Sequence, residues 1–284
     1  MQSSIILKNG MIMPTLGMGT WMLGEHPSSE QMEKEALCAG LQAGMTLLDT
    51  AEMYGEGRSE KLIGKVIQGF SREQLFLVSK VYPHHAGRNN IFKSIENTLK
   101  RMQTDYLDLY LLHWRGSIPL AETVECMEQL VHEGKIRSWG VSNFDKEDME
   151  ELFSVPAGEN CVVNQVLYHL GSRGIEYDLL PWQEQHQVAA MAYCPLAQAG
   201  DLKRHLLSSP AVQQVAEAHH ISDFQVLLAF VLSRKNMIAI PRSAKADHVL
   251  ANWETRQIEL EASELAMLDE AFPAPNYKTI LDVV

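Results

Sequence analysis

The feature that most constrains this chain is an alternation. Eight short, strongly apolar runs occur along it, each followed by a stretch with amphipathic helical spacing. The runs read as strands over 16–21, 45–51, 75–81, 107–113, 136–142, 162–168, 189–194 and 237–241. The stretches read as helices over 28–43, 59–70, 90–102, 120–133, 146–153, 176–186, 210–219 with 223–234, and finally 246–254 and 263–270. Ser28 or Ser29 supplies an N-cap for the first helix. A hairpin precedes the series, with 5–7 and 11–13 flanking Asn9-Gly10, a tight-turn signal. Several strands, such as LLDTA, LFLVSK and LDLYLLH, are almost continuously apolar, as in parallel strands covered by helices on one side and a core on the other. Eight βα units of this length predict a closed parallel barrel of the α/β class, a (βα)8 TIM barrel with an N-terminal β-hairpin. The rival open doubly wound sheet carries GxGxxG after its first strand. Here Gly17-Met18-Gly19 runs on into Thr20-Trp21-Met22, so that fingerprint is missing. No linker divides the chain, and a single domain over 1–284 is expected.

Composition narrows the function classes. A chain of 284 residues can bury a core without disulfide or metal staples. Cys38, Cys126, Cys161 and Cys194 are far apart, with no CxxC pair, which suits reduced thiols in a cytoplasm and no metal site. No apolar run approaches the roughly 20 residues that span a bilayer. The start, Met1-Gln2-Ser3-Ser4-Ile5, lacks the basic and apolar regions of a secretory leader. The net charge of −12 argues against nucleic acid as a partner, because phosphate contacts need a basic face. Any anionic cofactor must be held by a local cluster of donors.

Chemistry in such a barrel sits at the carboxyl ends of the strands. The polar residues found there are Asp49, with Tyr54 just beyond it, then Lys80, His113, Ser142-Asn143, Tyr193 and Arg242-Ser243, with Asn164-Gln165 inside the sixth strand. Taken singly, Asp49 reads as a loop cap, Tyr54 as a packing aromatic, Lys80 as a surface lysine and His113 as a core histidine. Together they form an acid–base set. A lysine ammonium beside a tyrosine favours the phenolate and lowers its pKa, and an aspartate beside that lysine keeps it charged. A neutral histidine can orient the same substrate oxygen.

The stretch Asp49-Thr50-Ala51-Glu52-Met53-Tyr54-Gly55 resembles the DTAxxYG motif of the aldo-keto reductases. Ser79-Lys80-Val81, Leu111-Leu112-His113-Trp114, Gly140-Val141-Ser142-Asn143-Phe144, Val163-Asn164-Gln165, Ala192-Tyr193-Cys194-Pro195-Leu196 and Ile240-Pro241-Arg242-Ser243 are similar to that family in order and spacing. The resemblance runs from the hairpin to about Asn252. It implies an NADPH-dependent carbonyl reductase, with NADH a weaker alternative. It implies Tyr54 as general acid, Lys80 and Asp49 tuning it, and His113 placing the carbonyl. Nicotinamide would stack on Tyr193, with Ser142, Asn143 and Gln165 on its carboxamide. Gly19, Thr20 and Trp21 would line the cofactor, with Cys194, Pro195 and Leu196 along the pyrophosphate. Trp21, Tyr54, His113 and Trp114 would form the substrate pocket. The adenine end of the family pattern, IPKSxxxxRxxEN, would carry over to Ile240, Pro241, Arg242, Ser243, His248 and Asn252. It departs there: Arg242 stands for Lys, His248 for Arg and Ala251 for Glu. The 2′-phosphate would then rest on Arg242 with help from Lys245, with a smaller margin over NADH.

Two rivals carry their own tests. A Schiff-base aldolase would use Lys80 as nucleophile. A cofactor-binding sensor on the same fold would bind NADPH without turnover. The short loop after His113 and the short tail after Ala271 predict an open pocket for small carbonyls, methylglyoxal-like or keto-sugar acids, with Arg115 at the rim. His84-His85 and His219-His220 read as solvated surface. No protein partner is legible.

Overall fold

The apolar runs become short parallel strands because each must satisfy its backbone against two neighbours while burying both faces. The structure, a computed structural model, describes residues 3–284, so the Met1-Gln2 end of the leader reading lies outside the described residues. The hairpin is β1 (Ser4–Ile6) against β2 (Ile12–Pro14), antiparallel, with Ile5 opposite Met13. Its turn closes with Leu7 N–H donating to Met11 C=O at 2.8 Å, and Gly10 takes φ +85°, a conformation that suits glycine.

The barrel strands are β3 (Gly17–Gly19), β4 (Leu47–Asp49), β5 (Phe76–Val81), β6 (Leu109–Leu112), β7 (Trp139–Ser142), β8 (Val163–Leu167), β9 (Ala189–Tyr193) and β10 (Met237–Ala239). They pair in chain order, all parallel. Closure between first and last is made by parallel bridges at Leu16–Ala239 and Gly19–Arg242. The strands are shorter than the apolar runs, because the barrel twist leaves the run ends as loops that still pack.

The covering helices are α1 (Glu30–Ala43), α2 (Arg58–Ile67), α3 (Ile91–Met102), α4 (Leu120–His132), α5 (Lys146–Ser154), α6 (Leu179–Gln185), α7 (Asp201–Leu207), α8 (Pro210–His219), α9 (Asp223–Leu232), α10 (Ala246–Glu254) and α11 (Ala262–Ala271). Two differences from the sequence reading stand out. The sixth helix is shorter than expected, because Gly174–Glu176 forms a separate 3₁₀ turn. And α7, too short and polar to show a periodic face, escaped the pattern altogether. Ser29 is the residue before α1, but its hydroxyl donates to Glu33 Oε1 at 2.8 Å instead of capping the helix backbone.

Strand alternation sorts the core into two compartments. Leu47, Phe76, Val78, Leu109, Leu111, Val163, Met191 and Ile238 fill the barrel, and Ile5, Leu7 and Met13 of the hairpin plug its amino-terminal end. Leu48, Leu77, Tyr110, Val141 and Ala190 face the helices. Among the described residues no single helix is long and apolar enough to cross a membrane.

Candidate active site

Following each inward row by steps of two to its carboxyl end gives a definite set. The row 47 ends at Asp49, 76–78 at Lys80, 109–111 at His113, 140 at Ser142, 163 at Gln165, 189–191 at Tyr193 and 238 at Ile240. The polar residues are therefore the top layer of the barrel core. They are buried for the same reason the leucines beneath them are.

The tetrad is assembled by direct contacts. Lys80 is fully buried and Asp49 is 2 % exposed. Lys80 Nζ donates to Asp49 Oδ2 at 2.7 Å, to Thr50 C=O at 2.9 Å and to Tyr54 Oη at 3.2 Å. Tyr54 arrives there because the chain turns after β4, its N–H donating to Ala51 C=O at 3.0 Å, and Gly55 at φ +55° and Gly57 at φ +81° then lead the chain away into α2. A chain of buried hydroxyls fixes the end of β4: Thr20 donates to Asp49 C=O and Ser59 donates to Thr20 Oγ1, each at 2.8 Å. The His113 ring meets the Tyr54 ring edge-on, centroids 5.8 Å apart, and packs on Trp114 at 5.0 Å.

Burial decides the protonation states. It pushes the Tyr54 phenol above its ordinary pKa, and the Lys80 charge only partly offsets this. The sequence reading has Lys80 lowering that pKa; Lys80 does pull it down, but desolvation outweighs the ammonium and the net direction is upward. Burial works against the charge on Lys80, but Asp49 and Tyr54 together hold it above the usual lysine value. Burial also raises the Asp49 carboxyl, while Lys80 and Gln165 pull it back. His113 is brought down to about 2, first by burial and then by Lys80, so its imidazole is neutral.

A cavity of about 860 Å³, including its open mouth, lies over the tetrad. Gly19, Thr20, Trp21, Asp49, Tyr54, His113, Trp114, Ser142, Asn143, Gln165, Tyr193, Cys194, Ile240 and Arg242 of the expected set all reach it. Its walls suit a nicotinamide. Tyr193 offers a ring steadied by its hydroxyl, which donates to Asn143 Oδ1 at 2.8 Å. Asn143 itself sits at φ +57° and donates through Nδ2 to His113 C=O at 3.2 Å. A Cβ on Gly19 would come within 2.8 Å of Ile240 C=O, so a side chain there would clash with the backbone at the cavity wall. Pro195, Leu196, Pro241, Ser243, His248 and Asn252 do not line this cavity. His248 is exposed at the start of α10, and Ser243 Oγ accepts the Lys245 N–H at 3.1 Å. Arg242 is exposed and donates to the Trp21 and Met22 carbonyls at 3.2 and 3.4 Å.

Sequence reasoning missed two wall residues, Met53 and Val284. Met53 occupies an unspecified position of its motif. Val284 arrives on a tail without regular structure, pinned by Lys278 Nζ to Asp145 Oδ1 at 2.6 Å and Asp178 Oδ2 at 3.1 Å and by Leu281 against the core. The short tail therefore closes one side of a pocket expected to be open. Arg115, expected at the rim, donates instead to Glu151 at 2.9 and 3.2 Å and does not reach the cavity. His85 is not simply solvated: its Nδ1 lies 3.1 Å from Glu52 Oε1, which also accepts the Tyr82 N–H at 2.7 Å. His219 lies 2.9 Å from both Glu264 oxygens.

Comparison with known proteins agrees with this geometry. The aldo/keto reductase family profile matches residues 15–272. The chain is 53% identical over 285 residues to the methylglyoxal reductase YeaE of Escherichia coli, covering 100% of both chains. It is 32% identical over 271 residues to the glyoxal reductase of Bacillus subtilis, covering 95% of this chain and 92% of the relative. A Klebsiella pneumoniae aldo/keto reductase crystallised with NADP and acetate superposes with a TM-score of 0.96, at 51% identity and 100% coverage of both chains. A crystal structure of a Klebsiella pneumoniae aldo-keto reductase with NADPH gives the same values. The chain belongs to the aldo/keto reductase family.

Proposed function

We propose that this aldo/keto reductase, a single domain over 1–284, uses NADPH to reduce small neutral aldehydes and dicarbonyls of the methylglyoxal type to alcohols. The observation that carries the reading is the hydrogen-bonded Asp49–Lys80–Tyr54 row beneath a cavity that also holds His113, Ser142, Asn143, Gln165 and Tyr193. A nicotinamide bound there would supply the hydride. Tyr54 Oη holds the proton that the carbonyl oxygen takes up, and Lys80 steadies the phenolate left behind. Neutral His113 orients that oxygen. Asp49 keeps Lys80 charged through the cycle. Ser142, Asn143 and Gln165 would hold the carboxamide and Tyr193 the ring. At the other end Arg242 and Ser243 would meet the 2′-phosphate.

The substrate class follows from the walls. Trp21, Met53, Trp114 and Val284 are apolar. Of the nearby cations, Lys80 is engaged by the tetrad and Arg115 by Glu151, while Arg242 rests on backbone carbonyls at the rim and is assigned to the cofactor phosphate. Apart from Arg242, no lysine or arginine among the described residues lines the cavity, which disfavours the keto-sugar acids. The activities for which the two bacterial relatives are named, methylglyoxal and glyoxal reduction, support the same choice. A Schiff-base role for Lys80 is disfavoured, because such a lysine needs a lowered pKa and this one is raised. Free thiols at Cys38, Cys126, Cys161 and Cys194 support a cytoplasmic setting. The test is NADPH consumption with matched substrates. Methylglyoxal should exceed pyruvate and keto-sugar acids in kcat/KM by about tenfold or more, the scale of one unpaired charge contact. Equal or higher rates with the acids would overturn the substrate assignment.

A further inference from the structure

Gln165 has an amide whose two ends meet different surroundings. Its Nε2 lies 2.8 Å from Asp49 Oδ1 and 3.1 Å from Met191 Sδ. The residue is 2 % exposed and lines the catalytic cavity, yet its Oε1 accepts no hydrogen bond from any described residue. An ionised carboxylate and a thioether accept and never donate. Both neighbours on that side therefore demand the NH₂ end of the amide. The carbonyl end is left to the cavity.

We infer that Asp49 is a positioning residue for the cofactor: by holding the Gln165 NH₂ it presents the Gln165 carbonyl to the cavity, so that the site reads the nicotinamide carboxamide by its N–H donor. The inference rests on the reading of Gln165 as a carboxamide partner given above. It assigns Asp49 a second duty beside its contact with Lys80. Its two oxygens divide the work, Oδ2 to Lys80 and Oδ1 to Gln165.

Substitution of the carboxylate makes the idea sharp. In Asp49→Asn the single side-chain oxygen is claimed by the Lys80 ammonium, which needs an acceptor. The new NH₂ then faces Gln165 and also needs an acceptor. Gln165 satisfies it by rotating its amide half a turn. That rotation points its own NH₂ into the cavity and reverses what the site recognises.

The probe is a pair of oxidised cofactors, NADP and its 3-acetylpyridine analogue, in which a methyl group replaces the carboxamide NH₂. Affinities are read by quenching of tryptophan fluorescence, with Trp21 and Trp114 in the cavity wall. The wild type should favour NADP over the analogue by about tenfold, the scale of one lost donor. Asp49→Asn should bring the ratio to one or below. Met191→Leu, which leaves the tetrad intact, should narrow the ratio and keeps the test alive should the first variant fold poorly. Gln165→Met should erase the preference. A ratio unchanged in both Asp49→Asn and Met191→Leu, with the wild-type preference present and lost in Gln165→Met, overturns the positioning role while leaving the carboxamide assignment standing. No preference in the wild type removes that assignment and the inference with it.

Discussion

The two ends of the expected cofactor track differ in kind. At the inner end Asp49, Lys80 and Gln165 are buried on β4, β5 and β8 and His113 just past the end of β6, and Asp49 and Lys80 are locked by hydrogen bonds of 2.7–2.9 Å. At the outer end Arg242 and His248 are exposed side chains, one reaching backbone carbonyls and the other standing free of the cavity. Buried groups here have few alternatives, since each one removed strands a partner in low dielectric. Exposed groups share their work with water and salt. On the proposed function the inner end would fix the reaction type and the outer end would set cofactor choice, where His248 and Ala251 stand at positions that the resemblance gives to Arg and Glu.

The contrast is broken most directly at Tyr54. Tyr54→Phe removes only the acidic hydroxyl. Turnover should fall about 10²–10⁴-fold, or roughly 3–5 kcal/mol of barrier, while NADPH affinity stays within about twofold, well under the tenfold that 1.4 kcal/mol represents. Single-turnover rates near wild type would place the proton donor elsewhere.

His113 tests burial itself. Its folded pKa of about 2 lies below the 6.5 of an unfolded histidine. Between those values the unfolded chain binds a proton that the folded chain refuses, so stability falls as pH drops from 6.5 toward 2. At pH 5 the loss from this one residue is about 2 kcal/mol, from roughly 1.5 pH units at 1.36 kcal/mol each. Denaturant titrations at pH 7 and pH 5 should show a smaller acid loss in His113→Asn than in the wild type. Parallel losses in the two proteins would mean that the imidazole titrates normally in the fold.

The inner end was legible in the sequence because strand register is a rigid code. Once Leu47 and Val78 are inward, Asp49 and Lys80 must be inward too, and the turn closed by Tyr54 N–H on Ala51 C=O brings Tyr54 back over them. What the sequence hid were effects that depend on distance across the fold. The balance of desolvation against Lys80 at Tyr54 reverses the expected direction of its pKa. The tail that carries Val284 into the cavity wall has no periodicity to announce it, and its anchors, Lys278 with Asp145 and Asp178, are 133 and 100 residues apart. His85 and Glu52 looked unrelated for the same reason.

At the outer end effects should be smaller and salt-sensitive. Arg242→Met removes the cation expected at the 2′-phosphate and also its hold on the Trp21 and Met22 carbonyls. NADPH should bind about tenfold more weakly, the range for a hydrogen bond to a charged group. NADH should lose less, and the dependence of NADPH affinity on salt should flatten. An equal loss for both cofactors would assign Arg242 to shaping the Trp21 rim rather than to reading phosphate.

His248→Arg should act in the opposite direction and more gently. The side chain is exposed in the first turn of α10, beside Asp247, whose carboxylate accepts the His248 backbone N–H at 3.0 Å. A permanent guanidinium there adds attraction for a phosphate, but Asp247 shares it and water screens it. Exposed pairs of this kind contribute about 0.2–1 kcal/mol, so the NADPH-to-NADH affinity ratio should rise by roughly 1.4–5-fold. The gain should be largest at low ionic strength, and kcat should not move, because nothing in the tetrad senses this position. A change in kcat would connect the two ends of the track energetically and undo the division between a fixed interior and a tunable rim.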